Sequence, residues 1–159
     1  MLGMKRAMMF AAVLAVAACS QANMNTAGSM TGAASDPHSV AYFNQVVGDR
    51  VFFAFDQSNL SPAAQQTLIK QAQWLKANGS HPILIAGNTD DRGTREYNIA
   101  LGARRAQAVK DFLVAQGIGA SRIKTVSYGK ERPVATCENE SCWSQNRRAV
   151  TLLTGTPTS

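Results

Sequence analysis

Short apolar runs alternate with longer amphipathic segments along residues 51–153. The runs at 51–55, 83–86, 123–128 and 148–153 have strand length and are apolar or rich in β-branched and aromatic side chains. They predict four strands. The first three are separated by segments long enough to form helices.

Two of the intervening segments carry apolar residues at helical spacing. Ser61 and Pro62 supply the N-cap and first-turn residues of a helix that extends to about Ala77. The second helix is predicted over residues 95–116 and ends before Gly117. The expected core positions are Ala64, Leu68, Ala72 and Leu75 in the first helix and Ile99, Gly102, Ala106, Val109 and Leu113 in the second.

The order of these elements predicts the fold class. Strand, helix, strand, helix and strand, followed by a short helix at 141–147 and a last strand, favour a two-layer α/β (α+β) domain. In it, two main helices pack on a small mixed sheet. The 159 residues, 45% of them hydrophobic, are enough for one such domain and an accessory segment.

The first 18 residues have the composition of an export signal. Lys5 and Arg6 form a basic start, and residues 7–16 are apolar but too few to cross a bilayer. Two alanines precede Cys19, and small residues before a cysteine resemble the lipobox of bacterial lipoproteins. This predicts cleavage before Cys19 and its acylation, and Ser20 in place of aspartate implies the outer membrane. An ordinary secretory signal with an incidental cysteine is the alternative.

Residues 19–40 are predicted to be the lipidated cysteine and a flexible tether. Small and polar residues dominate this segment, so it cannot bury a core. Residues 41–154 form the predicted domain, and residues 155–159 a frayed tail. Translation starts at either Met1 or Met4.

The charge and the positions of the cysteines and histidines limit the functions and sites that the chain can have. The net charge of +6 falls to +4 without the two basic residues of the export signal, and no basic run is interleaved with aromatic residues, so nucleic-acid binding is not predicted. Cys137 and Cys142 flank an acidic loop, and an oxidising compartment favours a disulfide between them. His38 and His81 are isolated in the sequence, so no metal site is predicted.

The stretch GNTDDRGTREYNIALGARR, residues 87–105, carries the strongest functional signal. It joins the second predicted strand to the second helix through a charged turn, and such junctions expose backbone N–H groups beside polar side chains. Asp90 offers an anion and Arg105 a cation, which together suit a small zwitterion. By charge alone, Asp91 and Arg92 serve equally well.

Asp56 follows the first strand as Asp90 follows the second. If the two strand ends are neighbours, Phe55 and Asp56 form one wall of a pocket and Asp90 another. Both aspartates also suit a purely structural role, because aspartate often stabilises turns.

Helical geometry distinguishes Arg104 from Arg105. At about 100° per residue, Arg104 points away from the expected core face, whereas Arg105 lies at the boundary between core and solvent. A guanidinium there can be held by packing and still present its fork to a carboxylate. The residues alone leave a ligand role and a structural ion pair, for example with Asp90, equally open.

Four segments, FAFDQSNLSPAAQQTL, GNTDDRGTREYNIALGARRAQAVKDFL, VSYGKERPV and QNRRAV, occur in this order. Over about residues 51–153 they resemble the OmpA-like peptidoglycan-binding domain family. With the lipobox and tether, the resemblance implies a lipoprotein on the periplasmic face of the outer membrane. It implies non-covalent binding of the diaminopimelate stem peptide of peptidoglycan, which would join the membrane to the wall. It also implies a Tol-type periplasmic partner and a role in envelope integrity and cell division.

The resemblance assigns roles to particular residues. The acid that pairs with the diaminopimelate ammonium falls on Asp90, and the arginine that pairs with a carboxylate falls on Arg105. Asn88 stands where relatives usually carry histidine, and a tuned rather than a lost pocket is expected. The other matched lining or supporting positions are Phe55, Asp56, Gln57, Thr89, Arg92, Asn98 and Leu101. For Arg147 and Arg148, structural ion pairs are favoured over ligand contacts.

Two other functions are considered. An OmpA-like subunit of a different envelope or secretion complex is compatible with wall binding. A cell-wall hydrolase is disfavoured, because it needs a nucleophile with a base, a zinc triad or two facing carboxylates. Of these, the sequence offers only the pair Asp56 and Asp90, so a non-enzymatic protein without cofactors is predicted.

Overall fold

The computed structural model describes residues 34–154; the predicted export signal, Cys19, most of the predicted tether and the tail lie outside the described residues. The strands are β1 (Arg50–Phe52), β2 (Ile83–Asn88), β3 (Ile123–Gly129) and β4 (Arg148–Leu153). The helices are α1 (Val40–Tyr42), which continues as a π-helical turn (Phe43–Gly48), α2 (Pro62–Ala77), α3 (Arg95–Ala115) and α4 (Glu140–Asn146), with a 3-10 turn (Ala120–Arg122) before β3.

The strands described within residues 34–154 form one mixed sheet in the order β1-β4-β2-β3. β4 runs antiparallel to both β1 and β2, whereas β2 and β3 are parallel. A parallel pair requires a crossover connection, and α3 provides it. The predicted mixed sheet with two main helices is confirmed.

The helices begin where capping residues predict. The Ser61 side chain accepts a hydrogen bond from the Ala64 N–H at the start of α2, and Thr94 accepts one from the Tyr97 N–H at the start of α3. All the expected core positions of α2 are buried. Those of α3 are buried too, except for the partly exposed Ile99. The apolar periodicity therefore identified the faces that pack on the sheet.

β1 ends earlier than predicted, and β2 ends later. Strand pairing of β1 stops at Phe52, and only the Phe53 N–H still donates to the Arg147 carbonyl, at 2.9 Å. Residues 54–57 form a turn closed by the Gln57 N–H on the Ala54 carbonyl, with Asp56 in the left-handed region at φ 55°. The turn separates the chain from β4, so residues 53–55, which were predicted as strand, lie outside β1.

Two glycines allow α3 to approach β2 closely. A Cβ on Gly87 would lie 1.8 Å from the Gly102 carbonyl oxygen, and one on Gly102 would lie 2.3 Å from Ser127 Oγ. Neither position can hold a side chain without moving backbone or the Ser127 hydroxyl. This close crossing brings Arg105, one helical turn after Gly102, against the end of β2.

The last residues of the predicted tether contact the end of α2. Trp74 Nε1 donates to the Pro37 carbonyl at 2.7 Å, and His38 Nδ1 lies 3.0 Å from Asn78 Oδ1. The loop after α2 leads into the start of β2, whereas Asp90 follows its end. The chain therefore enters the domain at the opposite end of a six-residue strand, about 20 Å long, from Asp90.

Across residues 34–154, none of the helices combines the length and the apolar character needed to span a membrane.

Candidate ligand-binding site

The loops that follow β1 and β2 meet at a small pocket over the first turns of α3. Its volume is about 190 Å³, below the roughly 300 Å³ at which sites for drug-sized ligands begin. It suits the end of one amino-acid side chain. The lining residues are Phe55, Asp56, Asp90, Arg92, Gly93, Tyr97, Asn98, Leu101 and Arg105. The structure thus brings the ends of β1 and β2 together around Asp56 and Asp90.

Asp90 is the most enclosed acid of this pocket, with 4% of its surface exposed. Its carboxylate accepts bonds from Arg92 Nη2 at 2.5 Å and Arg92 Nε at 3.2 Å. Arg147 Nη1 lies 3.4 Å from the same oxygen. Asp90 is therefore a buried anion between two cations, and neither of them is Arg105.

Arg105 is fully buried, so the expectation that it lies at the boundary between core and solvent is wrong. Its Nε donates to the Gln57 carbonyl at 2.8 Å, Nη1 to the Asn88 carbonyl at 2.9 Å, and Nη2 to the Ala54 carbonyl at 3.1 Å. Helical geometry gives the angle between Arg105 and the apolar face of α3. It does not show that the loop at 54–57 folds over this side of the helix.

Burial also changes the acid strength of Arg105. Desolvation lowers its pKa to about 10, and the nearby charge of Asp90 opposes that fall. At neutral pH the side chain is still cationic. Arg105 therefore supplies positive charge to the pocket floor and joins the loop after β1 to the end of β2.

Arg147 is a site residue whose contact with Asp90 the sequence did not reveal. It is 5% exposed, and its Nε donates to the Phe53 carbonyl at 2.9 Å. Both terminal nitrogens bond Glu140, which lowers the pKa of that carboxyl and raises the pKa of Arg147. The ion pairs predicted for Arg147 are confirmed. Arg148 instead donates to backbone carbonyls, because its guanidinium lies beside residues 132 and 146.

Arg92 is held between two aromatic rings at the pocket edge. Its guanidinium carbon lies 3.9 Å from the Phe55 ring centroid and 4.0 Å from that of Trp143. These two cation–π contacts help to orient the guanidinium toward Asp90. Trp143 was missed at the sequence level because nothing in its local sequence indicates that α4 packs beside the turn after β2.

Tyr97 and Asp56 also line the pocket. The Tyr97 hydroxyl donates to Asp56 Oδ1, and this bond is the main cause of a raised Tyr97 pKa. Tyr97 lies in the first turn of α3 and was also missed. A signal existed, because helical spacing places residue 97 on the same side as the predicted lining residue Leu101.

The remaining predicted residues have supporting positions. Asn98 donates to the Arg92 and Thr94 carbonyls, at 2.8 and 3.0 Å, and so holds the turn before α3. Gln57 contributes its carbonyl to Arg105 and does not line the pocket. Thr89 lines the neighbouring cavity instead.

Asn88 is buried and points away from the pocket. Its side-chain amide donates to the Ala86 carbonyl at 3.1 Å, and its Oδ1 has no partner among the described residues. The Asn88 side chain therefore bonds the backbone of β2 and does not cap the turn that follows it. Asn88 contacts the site through its own carbonyl, which accepts from Arg105.

The predicted disulfide joins Cys137 to Cys142, at a Cα–Cα distance of 5.5 Å. Cys142 lies in the first turn of α4, the helix that carries Glu140 and Trp143. The crosslink therefore lies next to the residues that surround Asp90.

A larger cavity, of about 420 Å³, lies near the start of β2 and β3, where Arg122 and Lys124 line it. It shares no lining residue with the pocket around Asp90. Within residues 34–154, no cluster of His, Cys, Asp and Glu is arranged to hold a metal ion.

Comparison with known proteins identifies close relatives. The sequence profile of the OmpA family matches residues 52–147. Proteins named peptidoglycan-associated lipoprotein are 54% identical over 148 residues in Mesorhizobium japonicum (91% of this chain, 88% of the relative) and 56% identical over 147 residues in Agrobacterium fabrum (89% and 83%).

Solved structures of related proteins have a similar fold. The peptidoglycan-associated lipoprotein of Burkholderia pseudomallei superposes with a TM-score of 0.67 at 42% identity, covering 76% of this chain and 98% of that one. The C-terminal domain of Helicobacter pylori MotB has a TM-score of 0.64 at 20% identity, covering 69% and 86%, and shares the fold.

Proposed function

Because this chain belongs to the OmpA family, and within it to the peptidoglycan-associated lipoproteins of the bacterial envelope, we propose that its pocket binds the diaminopimelate of peptidoglycan stem peptides. Members of this family are non-enzymatic, and the proposed activity is non-covalent binding. The protein would hold the wall close to the outer membrane, to which acylated Cys19 would anchor it.

The observation that carries the proposal is the charge arrangement in the pocket. Asp56, Asp90, Arg92 and Arg105 line a cavity about the size of one side-chain end, and Arg147, which is not part of the lining, contacts Asp90. The end of the diaminopimelate side chain carries an ammonium and a carboxylate on one carbon. A zwitterion can satisfy both signs of charge at once, whereas a simple cation or anion leaves one set of charges unpaired.

Asp90 and Arg105 differ in how directly they can contact a ligand. Asp90 shares its carboxylate with Arg92, whose side chain is 33% exposed and can be displaced by an ammonium. Arg105 already bonds three backbone carbonyls, so it acts on a ligand carboxylate mainly through its charge and its remaining N–H groups. Arg92, once released from Asp90, can pair with the same carboxylate.

The path of the chain supports a tether. Residues Pro37 and His38 contact the end of α2, at the opposite end of β2 from the pocket. A lipid at Cys19 would therefore approach the domain from one end while the wall occupies the other. Low affinity per site is sufficient, because many copies fixed between one membrane and one wall bind with avidity.

The Tol-type partner stays part of the proposal. The loop after β3, at residues 130–133, includes Lys130, whose Nζ bonds the carbonyls of Asp91 and Gly93 beside the pocket. A partner that binds this loop would contact the same turn that carries Asp90.

Sedimentation with purified cell walls tests the proposed function. The full chain is expected to pellet with diaminopimelate-containing peptidoglycan and to return to the supernatant when excess soluble diaminopimelate stem peptide is added, since both ligands occupy one pocket. Gel densitometry of pellet and supernatant measures the effect. Protein that stays in the supernatant, or that the soluble peptide does not release, contradicts the proposal.

A further inference from the structure

The disulfide between Cys137 and Cys142 fixes the first turn of α4 beside the pocket. Cys142 is 9% exposed, whereas Cys137, before the helix, is more accessible. α4 has only seven residues, and a helix so short is not stable on its own. The crosslink therefore stabilises the end of α4 that carries Glu140.

The last turn of α4 has attachments of its own. Asn146 Oδ1 accepts from the Val134 and Ala135 N–H groups, at 2.8 and 3.2 Å, and Arg147 donates to the Phe53 carbonyl. Neither contact involves the cysteines. Opening the disulfide is therefore expected to loosen the first turn, with Glu140, and to leave Arg147 in place.

Glu140 competes with Asp90 for Arg147. Arg147 Nη1 lies 3.2 Å from Glu140 Oε2 and 3.4 Å from Asp90 Oδ2, and Nη2 bonds Glu140. Glu140 thus satisfies most of this guanidinium, and the Asp90 carboxylate keeps capacity for a cationic ligand. Without Glu140, Arg147 would pair with Asp90 alone.

We infer that Glu140 is a positioning residue for ligand binding, and that the Cys137–Cys142 disulfide, by fixing it, makes the affinity for the wall depend on the thiol–disulfide state. The inference rests on the proposed function. Reduction by a dithiol breaks the S–S bond and delivers two electrons and two protons to give two thiols, while the reductant closes to a cyclic disulfide. Glu140 then moves away, Arg147 neutralises Asp90, and a ligand ammonium binds more weakly.

Calorimetric titration with a diaminopimelate stem peptide tests the inference in four samples: wild type and Glu140→Gln, each oxidised and reduced. Reduction is expected to weaken binding to the wild type about three- to tenfold, and Glu140→Gln to weaken the oxidised protein by a similar factor. Because both changes act through one contact, reduction should have little further effect on Glu140→Gln. A purely structural role of the disulfide would lower affinity equally in both backgrounds.

The variant Cys137→Ser/Cys142→Ser, which retains Cys19, is the control for reagent effects and should bind weakly with or without reductant. Thermal melts of every sample establish that the proteins are folded. Unchanged wild-type affinity on reduction, or an equal further loss in Glu140→Gln, would overturn the inference alone. Absence of binding to the oxidised wild type would instead count against the proposed function.

Discussion

Replacement of Asp90 by asparagine is expected to weaken binding of a diaminopimelate stem peptide by about 100-fold. Asparagine keeps the shape of the side chain but removes the negative charge of a carboxylate that is 4% exposed and bonded to both Arg92 and Arg147. The variant pocket has an excess of positive charge and repels the ligand ammonium. Isothermal titration calorimetry at neutral pH and moderate salt measures the change.

Asp91→Asn is the matched control for this variant. Asp91 carries the same charge one residue further along, but it is exposed and lines the neighbouring cavity rather than the pocket. Its replacement is expected to change the affinity by no more than about twofold. Equal losses in the two variants would mean that the general negative charge of the turn, not the Asp90 carboxylate, attracts the ligand.

Replacement of Arg105 by methionine is expected to lower the free energy of unfolding by about 3–5 kcal/mol. The carbonyls of Gln57 and Asn88 would lose the donor that Arg105 supplies, and the Ala54 carbonyl would keep only the Gln57 N–H. Each buried carbonyl left unsatisfied costs roughly 1–3 kcal/mol. The loop after β1 would also separate from the end of β2. Urea denaturation followed by circular dichroism measures the change.

Arg104 offers a control at the adjacent position. It is exposed, and its guanidinium carbon lies 5.9 Å from the Tyr97 ring, so Arg104→Met is expected to change stability by less than about 0.5 kcal/mol. If Arg105→Met is as stable as Arg104→Met, the three carbonyl contacts contribute little. Arg105 would then be a ligand-binding residue alone.

Local patterns were sufficient to predict most of the fold. Ser61 and Thr94 cap the two main helices, and the buried face of α2 follows its apolar spacing. The ends of most helices and strands could therefore be predicted, because they depend on residues that are close together in the sequence. One exception is the end of β1, where Asp56 adopts a left-handed conformation that an aspartate permits but does not require.

The candidate site was only partly predictable, because several of its contacts join distant segments. Phe55, Asp56 and Asp90 were expected to lie together and do so. The carbonyls that bind Arg105 come from residues about 50 positions earlier or from the end of β2, as their hydrogen bonds show. Trp143 and Arg147 reach Asp90 and Arg92 only because β4 lies between β1 and β2.

The pairing of charges also differs from the expectation that one acid and one arginine form the site. Asp90 is already paired with Arg92, Arg147 lies 3.4 Å from it, and Arg105 is committed to backbone carbonyls. A ligand must therefore exchange partners with Arg92 as it binds. Such an exchange favours a ligand that brings both an ammonium and a carboxylate.

The decisive measurement is a calorimetric comparison of two stem peptides binding to the oxidised wild-type protein, one containing diaminopimelate and the other lysine at the same position. Lysine has the side-chain ammonium but lacks the carboxylate, so it would leave Arg92 and Arg105 without a counter-charge. The diaminopimelate peptide is expected to bind at least about tenfold more tightly. Equal affinity for the two peptides, or no binding of either, would contradict a zwitterion-binding pocket around Asp90.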